Sequence, residues 1–150
     1  MNMPENKDPR EILRRTLHID QEIKALQQEQ SQLEESLSSL QSFNYQKPIV
    51  QSSGGRGSVE VLAIQVADGK DRIARRISQL IAAKEEAREL IAKLPEGPEH
   101  NVLVQRYILL HSWEQTAVQL GYSYRHVIRL HGEALRQLRE IVSLNVLKPL

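Results

Sequence analysis

The chain has 150 residues, 40% of them hydrophobic and 26% charged, with six aromatic residues and no cysteine. That composition excludes a disulfide framework, a cysteine-ligated zinc site and a cysteine nucleophile, and it is lean for one large core while suiting long helices with a narrow apolar seam. The net charge of +1 points to no partner by itself, no apolar run approaches the ~20 residues a membrane span needs, and the N-terminus lacks a signal-peptide core.

Charge is nonetheless unevenly placed. Residues 1–41 hold five Lys/Arg against eight Asp/Glu, a net of −3, and residues 99–150 hold six against four, a net of +2, with four of the five histidines. A polyanion would therefore meet the C-terminal third. A soluble, cytoplasmic protein with no membrane contact is the expectation.

Residues 8–41 predict one long helix. Ile12, Ile19, Leu26, Leu33 and Leu40 recur every seven residues, with Thr16, Ile23, Gln30 and Leu37 at the offset positions. This is a coiled-coil seam with two polar places, and its 34 or so residues make a rod of roughly 50 Å. Gln30 is either a register-fixing polar residue or an ordinary imperfection.

The next stretch, residues 42–58 (SFNYQKPIVQSSGGRGS), breaks the pattern and predicts a flexible loop. Its glycines lack the Lys-Ser/Thr pair and preceding strand of a phosphate loop.

Residues 59–94 carry a second seam. Val59, Val66, Ile73, Leu80, Ala87 and Leu94 lie seven apart, with Ala63, Lys70, Ile77, Lys84 and Ile91 between them. Gly69 weakens this helix by about 1 kcal/mol relative to Ala, and Pro95 stops it. Arg72, Arg75 and Arg76 cluster on its polar side, as a solvated face or a contact to a DNA backbone. Two seams of similar length predict an antiparallel hairpin over residues 1–95. The seams can pair within one chain, between chains, or both, as in a dimeric four-helix bundle.

After Pro98 the helices shorten. Residues 99–110 put Val102, Leu103, Tyr107 and Leu110 on one face. Ser112 and Gln115 form a capping-box pattern ahead of WEQTAVQL, which ends at Gly121. Ser123 caps a last helix running from Tyr124 to about Ser143, leaving 144–150 as a tail. A small residue at Ala117, a turn glycine at Gly121 and apolar Leu120, Val127 and Leu130 match a helix-turn-helix, with Ala134, Leu135 and Leu138 continuing the inner face. Trp113 is expected on the core.

If Val127 and Leu130 face inward, then Tyr124, Arg125, Ile128, Arg129 and Gly132 face outward. Residues at the start of the second helix of such a motif enter the DNA major groove. Arginine can bond guanine O6 and N7 with both prongs, and apolar or aromatic groups can meet thymine methyls. The candidate DNA contacts are Ser123, Tyr124, Arg125, His126, Ile128, Arg129 and Arg136. Ser123 and the helix N-terminus serve a phosphate. Arg136 and Arg139 lie farther along, toward flanking phosphates or a protein such as RNA polymerase, and Arg106 is a further phosphate candidate.

His126 and His131 sit about 140° apart on the helix and cannot share a metal, and His100 and His111 lack partners at ligand spacing. No metal, cofactor or catalytic constellation is expected, so the chain does not read as an enzyme.

The segment QRYILLHSWEQTAVQLGYSYRHVIRLHGEALRQLRE resembles region four of the main bacterial sigma factors, with Val127, Leu130, Ala134, Leu135, Leu138 and Arg139 on that family's Val-x-x-Leu/Ile-x-x-x-Ala-Leu-x-x-Leu-Arg run. Glu114-Gln115-Thr116-Ala117 departs from it, because an apolar residue usually precedes the Ala. The whole chain, including FNYQKPIVQSSG, also resembles small phage proteins of the RinA and ArpU type of late-gene regulators. The resemblance implies DNA binding and control of phage or prophage transcription in a bacterial host. The sigma regions that melt promoters have no counterpart.

The combined expectation is an all-α, homodimeric protein that binds double-stranded DNA through residues 99–143, with the long helices holding two reading heads apart. Two rivals stand beside it. One is a helical adaptor that docks on RNA polymerase or another protein. The other is a packaging component like a terminase small subunit, which also joins a helix-turn-helix to oligomerising helices.

Overall fold

A computed structural model describes residues 8–46 and 53–147, and every regular element among them is helical. Helix α1 spans Pro9–Gln46 and α2 spans Ser53–Ile91. Helix α3 covers Pro98–Leu103 and runs into a π-helical turn, Val104–Ile108. Helices α4 (Trp113–Leu120) and α5 (Tyr124–Leu147) follow. The all-α class and the long N-terminal hairpin are as the seams predict.

Helix α1 begins where its first residues favour it. Pro9 takes a position whose missing N–H would be unpaired anyway, and the Asp8 carboxylate accepts from the Arg10 N–H at 3.1 Å. Both long helices reach farther than expected into the predicted loop. Residues 42–46 complete α1, and residues 53–58 open α2 despite three glycines. Glycine lowers helix propensity without forbidding helical dihedrals, and proline is the true barrier. The rest of that loop, 47–52, lies outside the described residues. At the other end α5 continues past Ser143 to Leu147, because nothing between them breaks a helix. Of the expected tail only 148–150 lie outside the described residues.

The described chain packs as two compact units. One joins residues 8–20 with 80–147, and the other holds 21–46 with 53–79. In the second unit the two long helices run antiparallel. Arg76 pairs with Glu22 at 2.8 Å and Arg72 with Glu29 at 3.9 Å, so the numbers fall on one helix as they rise on the other. Two of the three clustered arginines are thus engaged by carboxylates of α1 rather than held out as a free basic face. The seam pairs within the chain.

Gln30 resolves as the register residue. It is only 7% exposed, and its Nε2 donates to the Val66 carbonyl across the hairpin at 2.8 Å. Gly69 provides the space, since a Cβ there would lie 1.9 Å from Gln30 Oε1. The glycine that costs helix propensity is the socket for the buried amide. Gly69→Ala alone is expected to destabilise the fold, because evicting a buried hydrogen-bonding group costs about 1–3 kcal/mol. In a Gln30→Ala background the same change should stabilise by about 1 kcal/mol through helix propensity. A urea-denaturation double-mutant cycle checks this, and additive effects would mean the two residues do not share one site.

In the first unit the opening turns of α1 and the closing turns of α2 join the C-terminal helices. Leu13, Leu90, Ile91, Leu103, Tyr107 and Leu138 belong to one buried cluster, with Leu13 and Leu138 fully enclosed. The seam register places Ile12 inward, yet Leu13 takes the deeper position and Ile12 packs at its edge.

The expected single helix over 99–110 also needs correction. The π-helical turn, closed by Leu109 N–H donating to the Val104 carbonyl at 3.0 Å, moves the inward phase by a residue. Ile108 is therefore buried beside Tyr107. Leu110 is only half-buried and adopts φ 60°, a left-handed conformation costing roughly 1–2 kcal/mol in an L-residue. That reversal leads the chain into Ser112.

Candidate nucleic-acid interface

The motif is assembled by local hydrogen bonds that its residues dictate. Ser112 Oγ accepts from the Gln115 N–H at 3.1 Å, and Gln115 Oε1 accepts from the Ser112 N–H at 2.9 Å, a closed capping box at the start of α4. Thr116 is fully buried, and its hydroxyl donates to the Ser112 carbonyl at 2.8 Å. The polar group is thus satisfied and its methyl faces the interior.

Gly121 ends α4 with φ 71°. Tyr122 N–H donates to Ala117 O at 3.0 Å and Gly121 N–H to Val118 O at 3.3 Å, the Schellman arrangement that requires a left-handed residue. Ser123 Oγ then accepts from the His126 N–H at 3.1 Å and opens α5. Val102, Ala117, Val127 and Leu130 form the small core of the motif, with Trp113, Leu120 and Tyr122 around it.

The inner and outer faces of α5 fall as the periodicity requires. Val127, Ala134 and Leu138 are fully buried, and Leu130 and Leu135 nearly so. Ser123, Arg125, Arg129, Gly132 and Arg136 are exposed. At 100° per residue, Arg125, Arg129, Gly132 and Arg136 form one longitudinal stripe within about 60° of arc. Tyr124 and Ile128, 50% and 38% exposed, form the adjoining line. A Cβ at Gly132 would meet nothing within 4 Å, so the stripe has a bare step between its second and third arginines.

The arginines differ in their surroundings. Arg125 makes no hydrogen bond or ion pair among the described residues. Arg129 Nη2 donates to His126 Nδ1 at 2.8 Å. Arg136 is held by Glu133 at 2.5 Å and Glu140 at 2.7 Å, and its hydrogen bond keeps the Glu133 carboxyl below the usual range. Arg106 is not free for a phosphate. Its guanidinium carbon lies 4.4 Å from the Trp113 ring centroid, Nη1 donates to His111 O at 2.9 Å, and Nε is buried without a partner.

Behind α5 lies a polar cluster that sequence reasoning did not assemble. Tyr107 hydroxyl and His131 Nε2 are 2.6 Å apart, and the His131 ring meets Trp113 edge-on at 4.7 Å. Burial, then the positive charge of Arg106, lowers the His131 pKa to about 4, and burial raises that of Tyr107. A neutral imidazole therefore accepts from a protonated tyrosine, with the histidine proton on Nδ1. The folded-state pKa lies below the ordinary 6.5, so the unfolded chain takes up the proton first on acidification. The stability from neutral His131 is whole above about pH 6.5 and is lost as pH falls toward 4. Thermal melting between pH 7 and 4 should show this loss, and His131→Gln should flatten it. An unchanged slope in that variant would exclude His131 as its source.

No group of three or more histidines, aspartates or glutamates among the described residues is placed to hold a metal ion. No helix among them is long and apolar enough to cross a membrane. No protein-family model, curated protein or solved structure matches the chain.

Proposed function

We propose that this protein is a sequence-specific, double-stranded-DNA-binding transcriptional regulator of phage or prophage genes, acting in the cytoplasm of a bacterial host. The observation that carries the reading is the exposed arginine stripe, on the second helix of a fully capped helix-turn-helix whose opposite face is buried. Arg125 and Arg129 lie within the first two turns of α5, the part of a recognition helix that reaches base edges. Ser123 and the first N–H groups of α5 serve a phosphate. Tyr124 and Ile128 offer apolar surface to thymine methyls, and His126 borders the same end. Arg136 takes a flanking phosphate by exchanging its carboxylate partners.

The protein acts as a homodimer joined through the hairpin, where Val61, Ile64 and Ile77 are 56%, 60% and 41% exposed. A two-fold dimer reads half-sites about one DNA turn apart, or a multiple of that. Titration of labelled duplex with the full chain tests the reading. If the dimer neutralises about six phosphates, affinity should fall roughly 10³-fold between 50 and 200 mM salt. Binding that is absent, or indifferent to salt, would refute it. A ring of eight or more subunits by mass measurement would favour the packaging role instead.

A further inference from the structure

Resting on the DNA-reading assignment, we propose that His126 is a positioning residue that sets the specificity of Arg129. The Arg129 guanidinium donates through Nη2 to His126 Nδ1 at 2.8 Å. The imidazole is itself held, because its ring meets the Tyr122 ring at 4.8 Å and 82°, and Tyr122 packs against the buried core of the motif. The chain of contacts runs from core to aromatic ring, to imidazole, to guanidinium.

Arg125 provides the internal comparison. It lies on the same stripe, one turn earlier, with no hydrogen bond or ion pair among the described residues. One arginine of the pair is oriented before a ligand arrives and the other is not.

The chemistry follows from the atoms involved. A guanidinium donates only, so Nδ1 must accept, which places the imidazole proton on Nε2. One Arg129 nitrogen is committed to His126, and the remaining N–H groups of the planar fork keep a fixed orientation. A two-pronged contact to a base needs that plane to be set, and ordering a long side chain at an interface is costly. A histidine that orders the arginine beforehand sharpens the distinction between one base pair and another. It adds no phosphate contact, so it leaves the general electrostatic attraction unchanged.

The full chain is used to select sequences from random duplex DNA, alongside His126→Ala, His126→Asn and Arg129→Ala. Asn places an acceptor oxygen close to the position of Nδ1. Arg129→Ala is expected to erase the preference at one base pair of each half-site. His126→Ala should weaken that same preference about threefold, the scale of freeing one ordered side chain, with an unchanged salt slope. His126→Asn should restore it. The main-chain bond from residue 126 to Ser123 Oγ survives in all these variants, and circular dichroism confirms equal helix content.

Identical preferences for wild type and His126→Ala would overturn the inference while leaving the DNA-reading assignment intact. Uniformly weaker binding with a shallower salt slope would also overturn it, by making His126 a phosphate contact. If the wild type enriches no sequence, the DNA-reading assignment and this inference both fall.

Discussion

Replacing Arg125 and Arg129 together with alanine is expected to lower affinity for the selected duplex by roughly 10²-fold, taking about 1–3 kcal/mol for each two-pronged base contact. Both residues are on the solvent side of α5, away from Val127 and Leu130, so the melting temperature should stay within a degree or two. Discrimination between the selected site and a scrambled duplex should collapse more than non-specific binding does. Arg136→Ala should cost less, because that guanidinium must first leave Glu133 and Glu140. Fluorescence anisotropy with the two duplexes measures the affinities and the discrimination, and thermal unfolding measures the melting temperature. If the double variant keeps full affinity and site preference, the face of α5 is not the reading surface.

The second large effect concerns Leu13, far from the motif in sequence yet fully enclosed in the same buried cluster as Leu103 and Leu138. Leu13→Ala should destabilise by about 2–5 kcal/mol, the range for emptying an enclosed leucine site. For a chain of this size that corresponds to a melting temperature roughly 5–15 °C lower. Residues 96–150 alone should fail to melt cooperatively, since they lack Leu13, Leu90, Ile91 and Leu94. Thermal unfolding of the variant and the fragment tests this. A cooperative fragment, or a variant as stable as wild type, would show the shared core to be dispensable.

Much of the motif was legible because its signals are local. Ser112 and Gln115 are three residues apart, Gly121 follows the last turn of α4, and Ser123 precedes the first turn of α5. Each acts on backbone groups within a few positions. The outward placing of Arg125 and Arg129 followed from the period of the helix once Val127 and Leu130 were assigned inward. The link between His126 and Arg129 left only a weak signal, their i, i+3 spacing. The cluster of Tyr107, His131, Trp113 and Arg106 left none, because residue 107 meets residue 131 only through packing.

The predicted loop over 42–58 is wider than the observed break, because a glycine lowers helix propensity but ends a helix only where its φ turns positive, as at Gly121. The π-helical turn at 104–108 was invisible in the pattern. It brings both Tyr107 and Ile108 into the buried cluster that other helices complete.

By itself, then, the order of residues determined the helical class, the two heptad seams, the caps and the side of α5 that carries its arginines. These depend on spacings within one helix or one turn. Tertiary structure alone decided that Gln30 inserts beside Gly69, that Leu13 completes the core under the C-terminal helices, and that Tyr107 meets His131. Those outcomes turn on which surfaces meet and how much room they leave, and that geometry exists only once the helices have packed.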